Sequence, residues 1–161
     1  MKNKIIILLF SINILIGIYV IGIVMCIKND VTYIPETKQN ISDEYHYISE
    51  EFEKVLLTNI MSVKRDVDIY TVIVDSTKQL SLKKYSQKII NAWNLSDNTI
   101  LIVLSTKTND VQIIIGKNVN ITKEQVDYIV NNYMSPYFLL DDYEDGLVVG
   151  ITQLIKLITI K

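Results

Sequence analysis

The first pattern along the chain is an unbroken apolar run, IIILLFSINILIGIYVIGIVMCI over residues 5–27, without a charged residue. A helix of about 20 such residues crosses the roughly 30 Å hydrocarbon core of a bilayer. A helix packed in a globular core would carry a polar stripe, and this run has none. Lys2 and Lys4 precede it, while Lys28 and Asp30 follow it. That bias puts the N-terminus in the cytoplasm and the rest of the chain outside. A cleaved signal peptide needs small residues before its cut, which Val24-Met25-Cys26 does not supply. A lipoprotein would carry its lipid on Cys26 after a motif such as Leu-Ala-Gly, and Ile23-Val24-Met25 departs from it. The expectation is an uncleaved single-pass anchor over residues 1–27, with the membrane lipid bilayer as its partner.

Beyond residue 27 the periodicity changes. Residues 28–41 are polar and irregular, with Pro35 stopping any helix, and read as a stalk. A helix follows, with Ser42 or Ser49 as its N-cap and Ile48, Phe52, Val55, Leu56 and Ile60 on one face. The run VDIYTVIVD is apolar at nearly every position, as in a strand buried on both faces of a parallel sheet. In SLKKYSQKIINAW, Leu82, Tyr85, Ile89 and Trp93 share a helical face. TILIVL reads as a second buried strand, and the turn TKTND joins it to VQIII in a hairpin. Thr122 with Gln125 three residues on forms a capping-box pattern, opening a helix that buries Val126, Ile129, Val130 and Tyr133 and stops at Pro136. A last amphipathic helix runs from about Asp142, with Leu147, Ile151, Leu154, Ile155 and Ile158 inward.

The order is α-β-α-β-β-α-α. Strand, crossover helix and strand make a right-handed βαβ unit, extended by an antiparallel edge strand. Helices must cover both faces of such a sheet. The expected fold is a small three-layer α-β-α domain with a mixed sheet over residues 42–161, preceded by one transmembrane helix.

Composition narrows the chemistry. A net charge of −2 offers no basic field for nucleic acid. The single Cys26 lies inside the apolar run, so no disulfide forms within the chain. With His46 as the one histidine, a zinc site of sulfur and imidazole is excluded, and any metal would be a hard cation on oxygen ligands. His46, between two tyrosines, reads as a surface or packing residue. No nucleophile paired with a base and no phosphate-binding loop emerges. The Asn-x-Ser/Thr sequences at Asn40, Asn94 and Asn120 read as accidental in a chain this rich in isoleucine, lysine and asparagine. Asp75-Ser76 ends the first long strand, where open α/β sheets often bind ligands. Tyr45, Tyr47, Tyr133, Tyr137 and Tyr143 flank core helices and suit half-buried packing.

One ordered set of features resembles a known family. Trp93 ends the second helix, Asp97-Asn98 turns into TILIVL, VQIII is followed by Gly116, and Pro136-Tyr137-Phe138 precedes an acidic turn from Asp141 to Gly146. In this order, over about residues 42–160, the chain resembles the TPM domain. It departs from the family in having Thr99 where a glycine follows Asp-Asn. It also has Gly116-Lys117-Asn118-Val119-Asn120 in place of Gly-Tyr-Gly-x-Glu. The glycine-rich tail and second membrane helix of many relatives are absent from the sequence. Members of the family carry oxygen-ligand metal sites, and some have weak acid phosphatase activity. The resemblance therefore implies that Asp97, Asn98, Asp141, Asp142 and Asp145 could hold calcium or another divalent cation. The loop Gly116 to Asn120 should lie beside the loop Ser96 to Thr99, because the two strands they flank run antiparallel, and Lys117 there would compete with such an ion. With that loop eroded and no catalytic constellation, the reading is a non-enzymatic accessory module that binds another membrane or envelope protein; the alternative is a divalent-metal-binding domain with weak phosphatase activity.

Overall fold

Four strands and the helices between them are laid down in the order the hydrophobic periods predict, with one strand added at the start. The computed structural model describes residues 34–36, 40–62 and 66–159. The apolar run at 5–27 lies outside these, and among the described residues no helix is long and apolar enough to cross a membrane. The sheet has β1 (Ile41–Asp43), β2 (Asp68–Val74), β3 (Thr99–Ser105) and β4 (Asp110–Ile115), side by side in that order. β1, β2 and β3 are parallel and β4 is antiparallel to β3. All seven residues of β3 are buried, as its apolar sequence requires of a strand covered on both faces.

Helix α1 (Glu50–Met61) begins at Ser49, whose hydroxyl accepts from Phe52 N, with Glu50, Glu51 and Glu53 in its first turn beside the positive end of the helix dipole. Ser42, the other N-cap candidate, lies in β1 instead. Helix α2 (Leu82–Trp93) starts at the Ser81 cap and stops at Asn94, which takes the left-handed conformation common at helix ends. It covers one face of the sheet, where Tyr85 and Ile89 pack with Val72, Val74, Leu101 and Val103. The opposite face carries the larger core, built from α1, α3 (Lys123–Ile129), α4 (Ser135–Phe138) and α5 (Tyr143–Thr159). Truncating a fully buried member of it such as Leu56, Leu147 or Leu154 to alanine would cost about 2–5 kcal/mol.

Two expectations are corrected. The chain does not stop being helical at Pro136. A π turn over Val130–Met134 closes with Ser135 N donating to Val130 O, and α4 follows with proline in its first turn. Pro136 has no N–H to give to the preceding turn and its ring would crowd the carbonyl there, so it is tolerated where a helix begins anew. The folded domain also begins before residue 42. Ile41 is in β1, Ile34 packs against the α2 cluster, and Trp93 Nε1 donates to Pro35 O at 2.7 Å. Ile34 and Pro35 thus lie on the α2 face, beside the C-terminal end of that helix.

Candidate functional site

The two ends of the sheet differ in chemistry, and the residues singled out from sequence divide between them. Asp97 and Asn98 precede β3, at the N-terminal ends of the parallel strands. The loop after β4 returns beside them, as the hairpin requires: Gly116 N donates to Thr99 O at 2.8 Å and Asn118 N to Asp97 O at 3.0 Å. A Cβ on Gly116 would lie 2.3 Å from Asp97 O, so only glycine fits this crossing. Lys117 Nζ stands 3.7 Å from Asp97 Oδ1, both side chains largely exposed, an ion pair of little energetic weight. Asn98, Asn118, Asn120 and Asp66 line a cavity of about 530 Å³ at this end.

Asp141, Asp142 and Asp145 lie at the other end, where the parallel strands finish. Asn109, in the β3–β4 turn, donates through Nδ2 to Asp141 Oδ1 at 2.9 Å. The seven residues of β3 separate this point from Asp97 by about 20 Å. Asp142 is spent on the start of α5, its Oδ1 accepting from Asp145 N at 3.3 Å. The five residues are therefore not brought together as one set. Among the described residues, no three acidic, histidine or cysteine side chains lie close enough to share a metal ion.

A denser arrangement lies along the strand C-termini. Tyr143 Oη is 2.8 Å from Asn109 Oδ1, 3.1 Å from Asp141 Oδ1 and 3.2 Å from Thr106 O. One phenol proton faces three acceptors, and Asn109 serves two of them as well, its Nδ2 donating to Asp141 Oδ1 and its backbone N to Thr106 O. Burial, then the hydrogen bond and charge of Asp141, raise the Tyr143 pKa above the ordinary phenol value. Tyr47 packs edge-on to Tyr143, ring centres 6.1 Å apart, and donates to Asp75 Oδ1 at 3.1 Å. Asp43, at the end of β1, accepts from Ile48 N through Oδ2, while its buried Oδ1 has no hydrogen-bond partner. Glu144 accepts from Ser49 N at 2.6 Å, tying α5 to the start of α1. Beside Asp141, Leu139 and Leu140 are 74% and 78% exposed. Among the described residues five non-glycine residues have left-handed backbone, and four of them (His46, Lys78, Asn109 and Asp141) stand in the loops of this edge. Such conformations gather at functional sites.

Of these groups, the sequence marks only Asp75 and Asp141 as ligand candidates. The spacing of Tyr47 and Tyr143 indicates packing alone, and Asn109 carries no signal, because their contacts join residues 28 to 37 positions apart; Asp43 carries none because its bond to Ile48 N, five positions on, is that of an ordinary turn.

The decisive comparison is with protein families: the TPM domain matches residues 41–157. The chain belongs to the TPM domain family. No curated protein matches it. Among solved structures, the TPM fold recurs in the N-terminal domain of a P. gingivalis protein, with TM-score 0.66, 19% identity, and 75% of this chain and 82% of that one covered. The N-terminal domain of cg2496 from Corynebacterium glutamicum gives 0.63 and 17%, covering 80% and 88%. The BA42 protein of Bizionia argentinensis gives 0.60 and 16%, covering 72% and 84%. At these identities the likeness is one of fold. The oxygen-ligand cation site implied by the TPM resemblance does not fit the five residues as a single centre. Asp97 faces a lysine, Asp142 caps a helix, and Asp141 is shared between a tyrosine and an asparagine.

Proposed function

We propose that this TPM domain is a non-enzymatic accessory module, held by the apolar run at 5–27 on the outer face of a membrane, which binds another envelope protein. The observation that carries the reading is the pair Leu139–Leu140, adjacent and more than 70% exposed, set against the carboxylate of Asp141 and the polar cluster around Tyr143. Scattered exposed leucines are ordinary, but two together on an ordered turn, rimmed by carboxylates, have the make-up of an interface anchor with a polar rim. A partner segment offering an apolar side chain beside a lysine or arginine would match it.

The test is site-specific photo-crosslinking from position 140 in the living source cell, with Met61, equally exposed but at the far end of the domain, as the control. The expected result is one adduct from position 140, none from 61, and loss of the adduct in Leu139→Ser. Indistinguishable adduct patterns at the two positions would sink the reading. Protease added to spheroplasts should digest the domain; protection of residues 41–157 would overturn the outward orientation.

A second reading, a divalent-cation domain with weak phosphatase activity, is favoured by one feature, the buried and unpartnered Asp43 Oδ1. Its test is argued below at the scale of the whole molecule.

A further inference from the structure

The two edges of the sheet are treated differently. β1 is three residues long, and a short edge strand offers little to a passing chain. β4 is six residues long, DVQIII, with no proline and no charge after Asp110. Edge strands in stable proteins are normally guarded by lysine, proline or a bulge, because their free N–H and C=O groups are a template for another strand. Among the described residues no strand lies beyond β4.

The hydrogen-bond phase says which groups face outward. Gly116 N bonds to Thr99 O, and in an antiparallel ladder bonded pairs alternate with unbonded ones. The register then bonds Leu101 to Ile114 and Val103 to Gln112. The main-chain groups of Val111, Ile113 and Ile115 point away from β3. Gln112 Nε2 folds back onto Ile113 O at 3.1 Å, which places that carbonyl on the open edge. It is a bond between sequence neighbours that a ladder bond can replace.

We infer that β4 pairs with β4 of a second copy of this chain, antiparallel and centred on Ile113, joining two four-stranded sheets into one of eight. In that register the outward groups of Val111, Ile113 and Ile115 meet those of Ile115, Ile113 and Val111 in the second copy. Every outward donor then faces an acceptor. The ends are complementary in charge as well: Asp110 of one copy comes to the strand end that carries Lys117 in the other, twice by symmetry. The two-fold axis of such a joint is perpendicular to the sheet, so the α2 faces of both copies, where Ile34 and Pro35 pack, lie on the same side of the joined sheet. The inference is independent of what the Tyr143 edge binds.

The test uses the full-length chain in lipid vesicles with a carbodiimide, which joins only a carboxylate and an amine in direct contact. Within one copy, Asp110 and Lys117 are held at opposite ends of β4, about 23 Å apart. An Asp110–Lys117 amide found by mass spectrometry must therefore link two copies, and mixing isotope-labelled with unlabelled chain confirms it. The expected result is a covalent dimer carrying that link. Val111→Pro, which removes an outward N–H while leaving every bond to β3, should cut the yield at least tenfold. Asp110→Lys and Lys117→Asp, scored as dimer by sedimentation in detergent, should each weaken association and restore it when combined; this holds the inference to account even if the proline variant does not fold. A monomer under all conditions overturns the proposal. So does a dimer indifferent to these variants, which would mean association through another surface, or an edge taken only by a different protein.

Discussion

At the residue scale the chemistry turns on one phenol. Tyr143 offers a single proton to Asn109, Asp141 and Thr106, and its pKa is raised by burial first and by Asp141 second. An acid whose folded pKa lies above its unfolded value keeps its stabilising contribution at all pH below the unfolded pKa, about 10 for tyrosine. It loses that contribution as pH rises through the folded value, because the unfolded chain releases its proton first. Wild type should therefore lose stability more steeply above pH 10 than Tyr143→Phe, followed by urea melts at each pH. At pH 7 the same substitution should cost about 1 kcal/mol for the lost hydrogen bond. Equal slopes above pH 10 would show that this phenol is not the group responsible. The cluster was illegible in sequence for a simple reason. Asn109 looks like any turn residue until the fold sets it beside a tyrosine 34 positions away. Asp97 and Lys117 were legible, because a hairpin of known length returns its ends to each other.

At the element scale the periodicities were good guides wherever an element was long. The strands at 68–74, 99–105 and 110–115 and the caps at Ser49 and Thr122 stand where the pattern of apolar and capping residues asks for them. β1 escaped because three residues show no alternation, and its place in the sheet depends on Asn40 O accepting from Thr71 N. The spacing puts Val55 on the apolar face of α1, yet it is 43% exposed, since α1 buries only Leu56 and Ile60 fully. Gly116 and Gly150 separate two kinds of close approach. A methyl at Gly116 would meet the main chain of Asp97 at 2.3 Å, whereas at Gly150 it would meet the Met134 side chain at 2.4 Å. A thioether can swing away and alanine favours a helix by about 1 kcal/mol over glycine, but a peptide carbonyl in a ladder cannot move. Gly116→Ala should therefore destabilise by about 3 kcal/mol and Gly150→Ala by less than about 1.5, measured by chemical denaturation. Gly146→Ala, which would press on the buried Phe138 ring at 2.4 Å, should fall between them. A Gly116→Ala protein as stable as wild type would mean that the β3–β4 crossing is looser than the hydrogen bonds imply.

At the scale of the whole molecule, the question is whether the carboxylates of a TPM domain still act together. They are spread over both ends of a sheet whose central strand keeps them about 20 Å apart. At one end Asp97 faces Lys117, and at the other Asp43, Asp75 and Asp141 are each engaged by a different neighbour. A cation that binds the folded state alone stabilises it by about 2.7 kcal/mol when present at 100 times its Kd, which moves the melting midpoint by several degrees. Calcium or magnesium at millimolar concentration should therefore leave the midpoint of the full chain within about 1 °C of its value in chelator, for wild type, Asp97→Ala and Asp141→Ala alike. The informative exception is a rise in wild type that Asp141→Ala or Asp43→Asn abolishes and Asp97→Ala does not. That result would mean the strand-end carboxylates close on an ion by small side-chain rotations, with Asp43 Oδ1 finding in it the partner it lacks. The divalent-cation reading would then displace the accessory-module reading, and phosphate-ester hydrolysis would be sought at that edge.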